Sequence, residues 1–66
     1  MWIKTCKDHV INVDHLSVIF YDEKDDYTVG YIGEDMVVIG RGNCIENIGA
    51  ALQRGSNYIE VKRYDR

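Results

Sequence analysis

The chain contains no proline, only two cysteines and no long apolar run. Without proline, its turns must be formed by glycine, aspartate and asparagine. No run approaches the roughly 20 apolar residues of a membrane span, so we expect no membrane segment. The N-terminal residues also lack the basic and apolar regions of a signal peptide, which predicts a cytoplasmic protein with reduced thiols.

An excess of basic residues is also missing, since eight Lys and Arg stand against eleven Asp and Glu, for a net charge of −3. Proteins that bind nucleic acids or anionic membranes normally present a basic patch, so we expect neither ligand. The 66 residues predict one domain, residues 1–66. A chain of this size buries only about 60% of its unfolded surface, and oligomerisation is a common remedy.

Six segments have the composition and alternation of β-strands, and one has the period of a helix. The predicted strands cover residues 2–5, 10–13, 16–22, 27–32, 36–40 and 57–64. We predict an α+β fold: an antiparallel meander of five strands, one helix on one face, and a C-terminal strand that returns to the sheet beside the first. A small, strongly bent, barrel-like sheet with one helix is the alternative.

The predicted helix carries a boundary signal at each end. Asn43 is the expected N-cap, with Glu46 three residues later as in a capping box. Gly55 follows Arg54, which predicts a left-handed C-cap. Between these signals, the apolar residues recur at spacings of three and four and form one stripe.

The central strands carry more apolar surface than one helix can cover. Large apolar residues occupy both faces over residues 16–21, 27–32 and 36–39, whereas a helix about 10 Å wide covers one side. We therefore expect a partner protein or a second copy, a dimer being favoured, to cover the other side. A sheet that curls and buries both sides within one chain is the alternative. The predicted interface comprises Trp2, Ile19, Tyr21, Tyr27 and Tyr31, with an acidic rim of Asp22, Glu23, Asp25 and Asp26.

The segment before the helix is a second candidate site. Backbone N–H groups at a helix N-terminus can hold an anion, and Arg41 would add a positive charge. The predicted anion-binding residues are Gly40, Arg41, Gly42, Asn43 and Cys44. Alternatively, the two glycines only permit a tight turn between strand and helix.

Soft metal ligands are limited to Cys6, His9, His15 and Cys44. A structural zinc site needs about four such ligands in firm geometry, and a catalytic thiol needs a positioned base. The spacing favours neither, so we predict no metal, no cofactor and no catalytic residue, and hence a protein that is not an enzyme.

The opening of the chain resembles a type of short bacterial and phage protein. The resemblance lies in Trp2-Ile3-Lys4-Thr5, which matches a W-I-K-T strand, and in Ile11-Asn12-Val13-Asp14, which is similar to an I-N-L-D bend. It implies a mobile-element context, in which short proteins often bind and block a host protein. We therefore predict a non-enzymatic inhibitory protein that occludes a partner surface. A nucleotide-binding sponge and a structural module of a larger assembly are the alternatives.

Overall fold

The computed structural model describes residues 1–62 and confirms the predicted α+β class. Its strands and helix are β1 (Trp2–Lys4), β2 (Val10–Asn12), β3 (Val18–Asp22), β4 (Tyr27–Ile32), β5 (Asp35–Arg41), α1 (Ile45–Arg54) and β6 (Tyr58–Glu60). The last strand is shorter than the predicted 57–64, of which residues 63 and 64 lie outside the described part of the chain.

The strands divide between two three-stranded sheets instead of forming one meander or one bent, barrel-like sheet. Strands β3, β4 and β5 form an antiparallel meander, whereas the second sheet has the order β2-β1-β6. Strand β6 runs parallel to β1, so the predicted return beside the first strand is confirmed. A 3-10 turn at Val13–His15 separates the sheets, and the Asn12 side chain holds it by accepting a hydrogen bond from the Asp14 N–H.

The core lies between the two sheets and the helix. Ile3 of β1, Ile39 of β5 and Ile48 of α1 are its buried centre, and Ile19 and Ile59 pack against it. Side chains alternate along a strand, so Ile3 points inward while its neighbours in β1 point outward. Each sheet therefore has one inner face in the core and one outer face.

A β-bulge in β5 lies where the two sheets make contact. Thr28 pairs with Gly40 and Val29 pairs with Val38, which leaves Ile39 as an extra residue. The Ile39 carbonyl accepts a 2.8 Å hydrogen bond from the backbone N–H of Cys6, which follows β1. A Cβ added at Gly40 would lie 2.5 Å from Cγ1 of Val61, so this approach of the two sheets requires glycine.

The helix confirms one predicted boundary and corrects the other. Gly55 adopts the left-handed conformation with φ of 77°, and its N–H donates to the carbonyl of Leu52, as predicted for the C-cap. At the other end the N-cap is Cys44, so the prediction of Asn43 was wrong by one residue. The Asn43 side chain instead accepts a hydrogen bond from the Ile45 N–H at 3.0 Å.

Candidate protein-binding face

The outer face of the β3-β4-β5 sheet carries two rows of apolar side chains that cross all three strands. Cross-strand partners in a sheet share a face, so the pairing register defines each row. The first row is Val18, Tyr31 and Met36, and the second is Phe20, Val29 and Val38. We call these six residues the apolar face.

The apolar face is accessible at its margins and packed at its centre. Val18 is 47% exposed, Phe20 38% and Met36 56%, whereas Val29 on the middle strand is only 3% exposed. The rings of Phe20 and Tyr31 stack with their centroids 6.1 Å apart. Because these groups are fixed on a paired sheet, a partner would order few additional side chains on binding.

A third row closes one end of the apolar face with charged groups. It contains Asp22, Tyr27 and Arg41, one from each strand. The Arg41 guanidinium carbon lies 5.5 Å from the centroid of the Tyr27 ring, and its Nε lies 3.4 Å from Oδ2 of Asp26. This arrangement is a cation–π contact combined with an exposed ion pair.

The acidic loop between β3 and β4 is held by its own side chains. Asp22 Oδ1 accepts a hydrogen bond from the Lys24 N–H, and the Tyr21 hydroxyl donates to Oδ1 of Asp26 at 2.7 Å. That bond to the Asp26 carboxylate raises the pKa of the Tyr21 phenol. The same bond lowers the pKa of Asp26. The Asp26 carboxylate is therefore ionised at neutral pH, and these hydrogen bonds hold the loop in one arrangement.

The opposite end of the apolar face is also acidic. The turn between β4 and β5 consists of Gly33, which has a φ of 61°, and Glu34, and Asp35 begins β5. Both acidic residues are exposed, but Asp35 pairs with Ile32 and so lies on the other side of the sheet from Met36. Since strand β4 runs from the acidic loop to this turn, the apolar face has the loop carboxylates at one end and Glu34 at the other.

The predicted interface residues do not all lie on one surface of the structure. Tyr31 belongs to the apolar face, Tyr27 and Asp22 lie in the charged row beside it, and Glu23, Asp25 and Asp26 lie in the acidic loop. Ile19 packs against the core, so it is not available as an interface residue. Tyr21 lies on the same side of β3 as Ile19, and only its hydroxyl reaches the loop. Trp2 is exposed, but it belongs to the other sheet.

Five residues of the apolar face were missed: Val18, Phe20, Val29, Met36 and Val38. The signal for them was present in the sequence, because alternation along β3 places Val18 and Phe20 on one side and Ile19 on the other. Both sides are apolar, however, and the pattern does not specify which one faces the core. Because tyrosine is a frequent interface anchor, the prediction named tyrosines on both sides of the sheet.

The predicted anion-binding segment is occupied by internal hydrogen bonds. The Gly42 N–H donates to the Asp26 carbonyl at 2.8 Å, and the Cys44 N–H donates to the Thr28 hydroxyl at 2.8 Å. The Thr28 hydroxyl in turn donates to the Gly42 carbonyl at 2.7 Å. Residues 40–44 therefore form a tight link between β5 and α1, and these N–H groups are not directed at an anion.

A groove beside this link is the remaining candidate for a small ligand. It has a volume of about 580 Å³ and lies between α1 and β6. Its lining includes the cationic residues Arg41, Arg54 and Lys62, together with the acidic Glu60. The excess of positive charge would favour an anionic ligand.

Both cysteines are free thiols. Burial raises the pKa of the Cys6 thiol, so this group stays protonated and unreactive at neutral pH. The Cys44 sulfur lies 3.7 Å from the carbonyl oxygen of Arg41, within the link described above. Across residues 1–62, no group of three or more His, Cys, Asp and Glu side chains is arranged to hold a metal ion.

No protein-family model matches the chain, and no curated protein or solved structure matches it. In the described part of the chain, the helix is neither long nor apolar enough to span a bilayer. The outer faces of the two sheets are therefore the features that bear on function.

Proposed function

We propose that this protein is a small, non-enzymatic binding protein that covers a surface of another protein with its apolar face. The observation that carries the proposal is the pair of uninterrupted apolar rows on an outer sheet face, with Val18, Phe20 and Met36 from 38% to 56% exposed. The largest contiguous apolar patch on a soluble protein is often its interaction site.

The energetics of the face are adequate for binding. Complete burial of one large apolar side chain is worth roughly 1.5–3 kcal/mol relative to exposure. Phe20 on the edge strand β3 and Tyr31 on the middle strand β4 form a stacked pair, and aromatic side chains are typical interface anchors. Several such groups, even partly buried, would give a useful affinity after the costs of association are subtracted.

Occlusion of a partner needs no catalytic group in the protein that binds. An inhibitor of this kind acts by excluding other ligands from the covered surface. The resemblance of the N-terminal segment to short bacterial and phage proteins favours such a role in the cytoplasm. The proposal therefore includes inhibition of a partner protein as its biological consequence.

Two matched valine variants test the proposal. Val18 lies on the apolar face and Val10 lies on β2 of the other sheet, and they are 47% and 53% exposed. Val18→Gln should weaken binding of a partner at least about tenfold, because it places a polar amide among the anchors, whereas Val10→Gln should leave binding unchanged. Quantitative retention of host proteins on immobilised wild type and both variants is the measurement, with thermal unfolding as the check on folding. Equal retention by all three would contradict the proposal.

The groove between α1 and β6 favours a second candidate function, the binding of an anionic nucleotide. Its cationic lining includes Arg54, which is exposed at the end of α1. A concentration-dependent rise in melting temperature with mononucleotides or cyclic nucleotides, lost in Arg54→Gln, would support this function. The absence of any such rise at millimolar nucleotide would leave protein binding as the better account.

A further inference from the structure

We propose that the occupant of the apolar face is a cationic protein surface, with apolar side chains flanked by Lys and Arg, and not a second copy of this chain. The inference rests on the proposed function and deepens it by specifying the chemistry of the partner. It is argued from the distribution of charge around the apolar face and from the size of that face.

The negative charge of the molecule is concentrated around this one face. The acidic loop over residues 22–26 contains four acidic residues and Lys24, and the opposite turn contributes Glu34. Together with Arg41, these residues carry a formal charge of −3, which equals the net charge of the whole chain. All other residues of the chain therefore sum to zero, so the net negative charge lies around this face.

The position of the carboxylates disfavours a second copy. The acidic loop and the acidic turn lie at opposite ends of β4, which has six residues and is thus about 20 Å long. In a symmetric dimer the same face contributes on both sides. When the strands of the two copies are aligned, in the same or in opposite directions, an acidic end meets an acidic end. Like charges in close contact across an interface oppose association.

The apolar face is too small to form a complete interface, so the acidic ends must also contact the partner. Three paired strands of this length present about 300 Å², given strand spacings near 5 Å. A standard interface buries about 800 Å² on each partner, so most of the contact must come from the surrounding rim. An acidic rim repels a second copy, whereas it attracts a cationic partner and accelerates its association.

The test uses a displayed library of random peptides as the probe. The library is selected on immobilised wild-type protein, with counter-selection on Val18→Gln to keep only peptides that need the apolar face. The enriched peptides should combine aromatic or aliphatic residues with a net positive charge. Peptides that are neutral or acidic on average would overturn the inference.

Two double variants then measure the contribution of the rim to affinity for the synthesised peptides. Glu23→Gln with Glu34→Gln removes one exposed charge at each end, and Glu46→Gln with Glu60→Gln removes two exposed charges elsewhere. The first pair should weaken binding about three- to tenfold at low salt, and this difference should vanish near 0.5 M salt. The second pair should change the affinity less than about twofold. Equal effects of the two pairs would overturn the inference.

Failure of the inference and failure of the proposed function give different results. If peptides depend on Val18 but not on the rim, the apolar face binds proteins and only the cationic partner is wrong. If no peptide distinguishes wild type from Val18→Gln, the proposed function itself fails. Light scattering over a concentration series completes the test, because a dimer that Val18→Gln abolishes would identify a second copy as the occupant and overturn the inference.

Discussion

The two sheets share one core, yet their outer faces differ in chemistry. On the β2-β1-β6 sheet the outer rows are Asn12, Trp2 and Tyr58, then Val10, Lys4 and Glu60. Each row mixes apolar with polar side chains, and Lys4 Nζ lies 3.3 Å from a carboxylate oxygen of Glu60. On the β3-β4-β5 sheet two complete rows are apolar. The polar groups there are displaced to the ends of the strands.

The comparison shows that a three-stranded sheet of this protein can pack on the core with a mixed outer face. Both sheets contribute to the core through their inner faces, from Ile3 in one and Ile39 in the other. The β2-β1-β6 sheet fulfils this role with a mixed outer face, so three strands of this size do not need apolar outer rows. The exposed margins of the other sheet's apolar rows are the basis of the binding role proposed above.

The largest expected effect contrasts the inner and outer faces of one strand. Ile39→Ala should lower the free energy of unfolding by about 2–5 kcal/mol, because it leaves a cavity where the two sheets meet. Met36→Ala, on the outer face of the same strand, should cost less than about 0.5 kcal/mol. Urea denaturation measures both values. Similar losses of unfolding free energy in the two variants would contradict the assignment of Ile39 to the core and Met36 to the outer face.

The next effect compares two buried threonines, Thr28 in β4 and Thr5 immediately after β1. The Thr28 hydroxyl both accepts from Cys44 N–H and donates to the Gly42 carbonyl, whereas the Thr5 hydroxyl accepts from Lys7 and His9 N–H groups at 3.3 and 3.2 Å. Thr28→Val should cost about 1–3 kcal/mol, since it leaves both partners unsatisfied. Thr5→Val should cost less, because its bonds are longer.

Thr28→Ser is the control for this comparison, because it keeps the hydroxyl and removes only a methyl group. It should recover a substantial part of the stability lost in Thr28→Val. If Thr28→Val is as stable as the wild type in urea, the packing of β4 against the segment before α1 does not depend on the Thr28 hydroxyl.

A smaller effect compares the two outer faces directly. A dye that fluoresces on exposed apolar surface should bind the folded protein at the apolar face. Phe20→Ser with Tyr31→Ser should reduce the fluorescence about twofold or more, because it removes the stacked pair. Trp2→Ser with Tyr58→Ser, the matched aromatic pair on the other sheet, should reduce it less. A larger loss of fluorescence in the second pair would place the main exposed apolar surface on the β2-β1-β6 sheet.

The smallest effect concerns pH and the hydrogen bond between Tyr21 and Asp26. Because the bond lowers the pKa of Asp26, its contribution is present above the unfolded pKa of about 3.9 and is lost as pH falls through the folded value. Because the bond raises the pKa of Tyr21, its contribution is present below the unfolded pKa of about 10 and is lost as pH rises through the folded value.

Replacing Tyr21 by phenylalanine should therefore return the pKa of Asp26 toward its ordinary value, as measured by NMR titration of the carboxyl carbon. The control is Tyr58→Phe on the β2-β1-β6 sheet, which should leave the Asp26 titration unchanged. An unchanged titration in Tyr21→Phe would show that the bond does not hold the acidic loop.

Local signals in the sequence predicted much of the fold. The strand over residues 27–32 has the predicted bounds, and Gly55 ends the helix as its conformational freedom allows. The N-cap was placed one residue early because local preference favours Asn over Cys at this position. A contact with Thr28, distant in sequence, fixes Cys44 at that position. The division into two sheets was also missed, since strand composition does not specify which strands pair.

The sequence by itself determined that the chain is α+β and which side chains share each face of a strand, because alternation and helical period are local properties of the backbone. Only the tertiary structure decided that Ile19 faces the core and Phe20 faces outward. Both are apolar, so the choice depends on the bulge at Ile39 and on the approach of the second sheet, and these contacts join residues far apart in the chain.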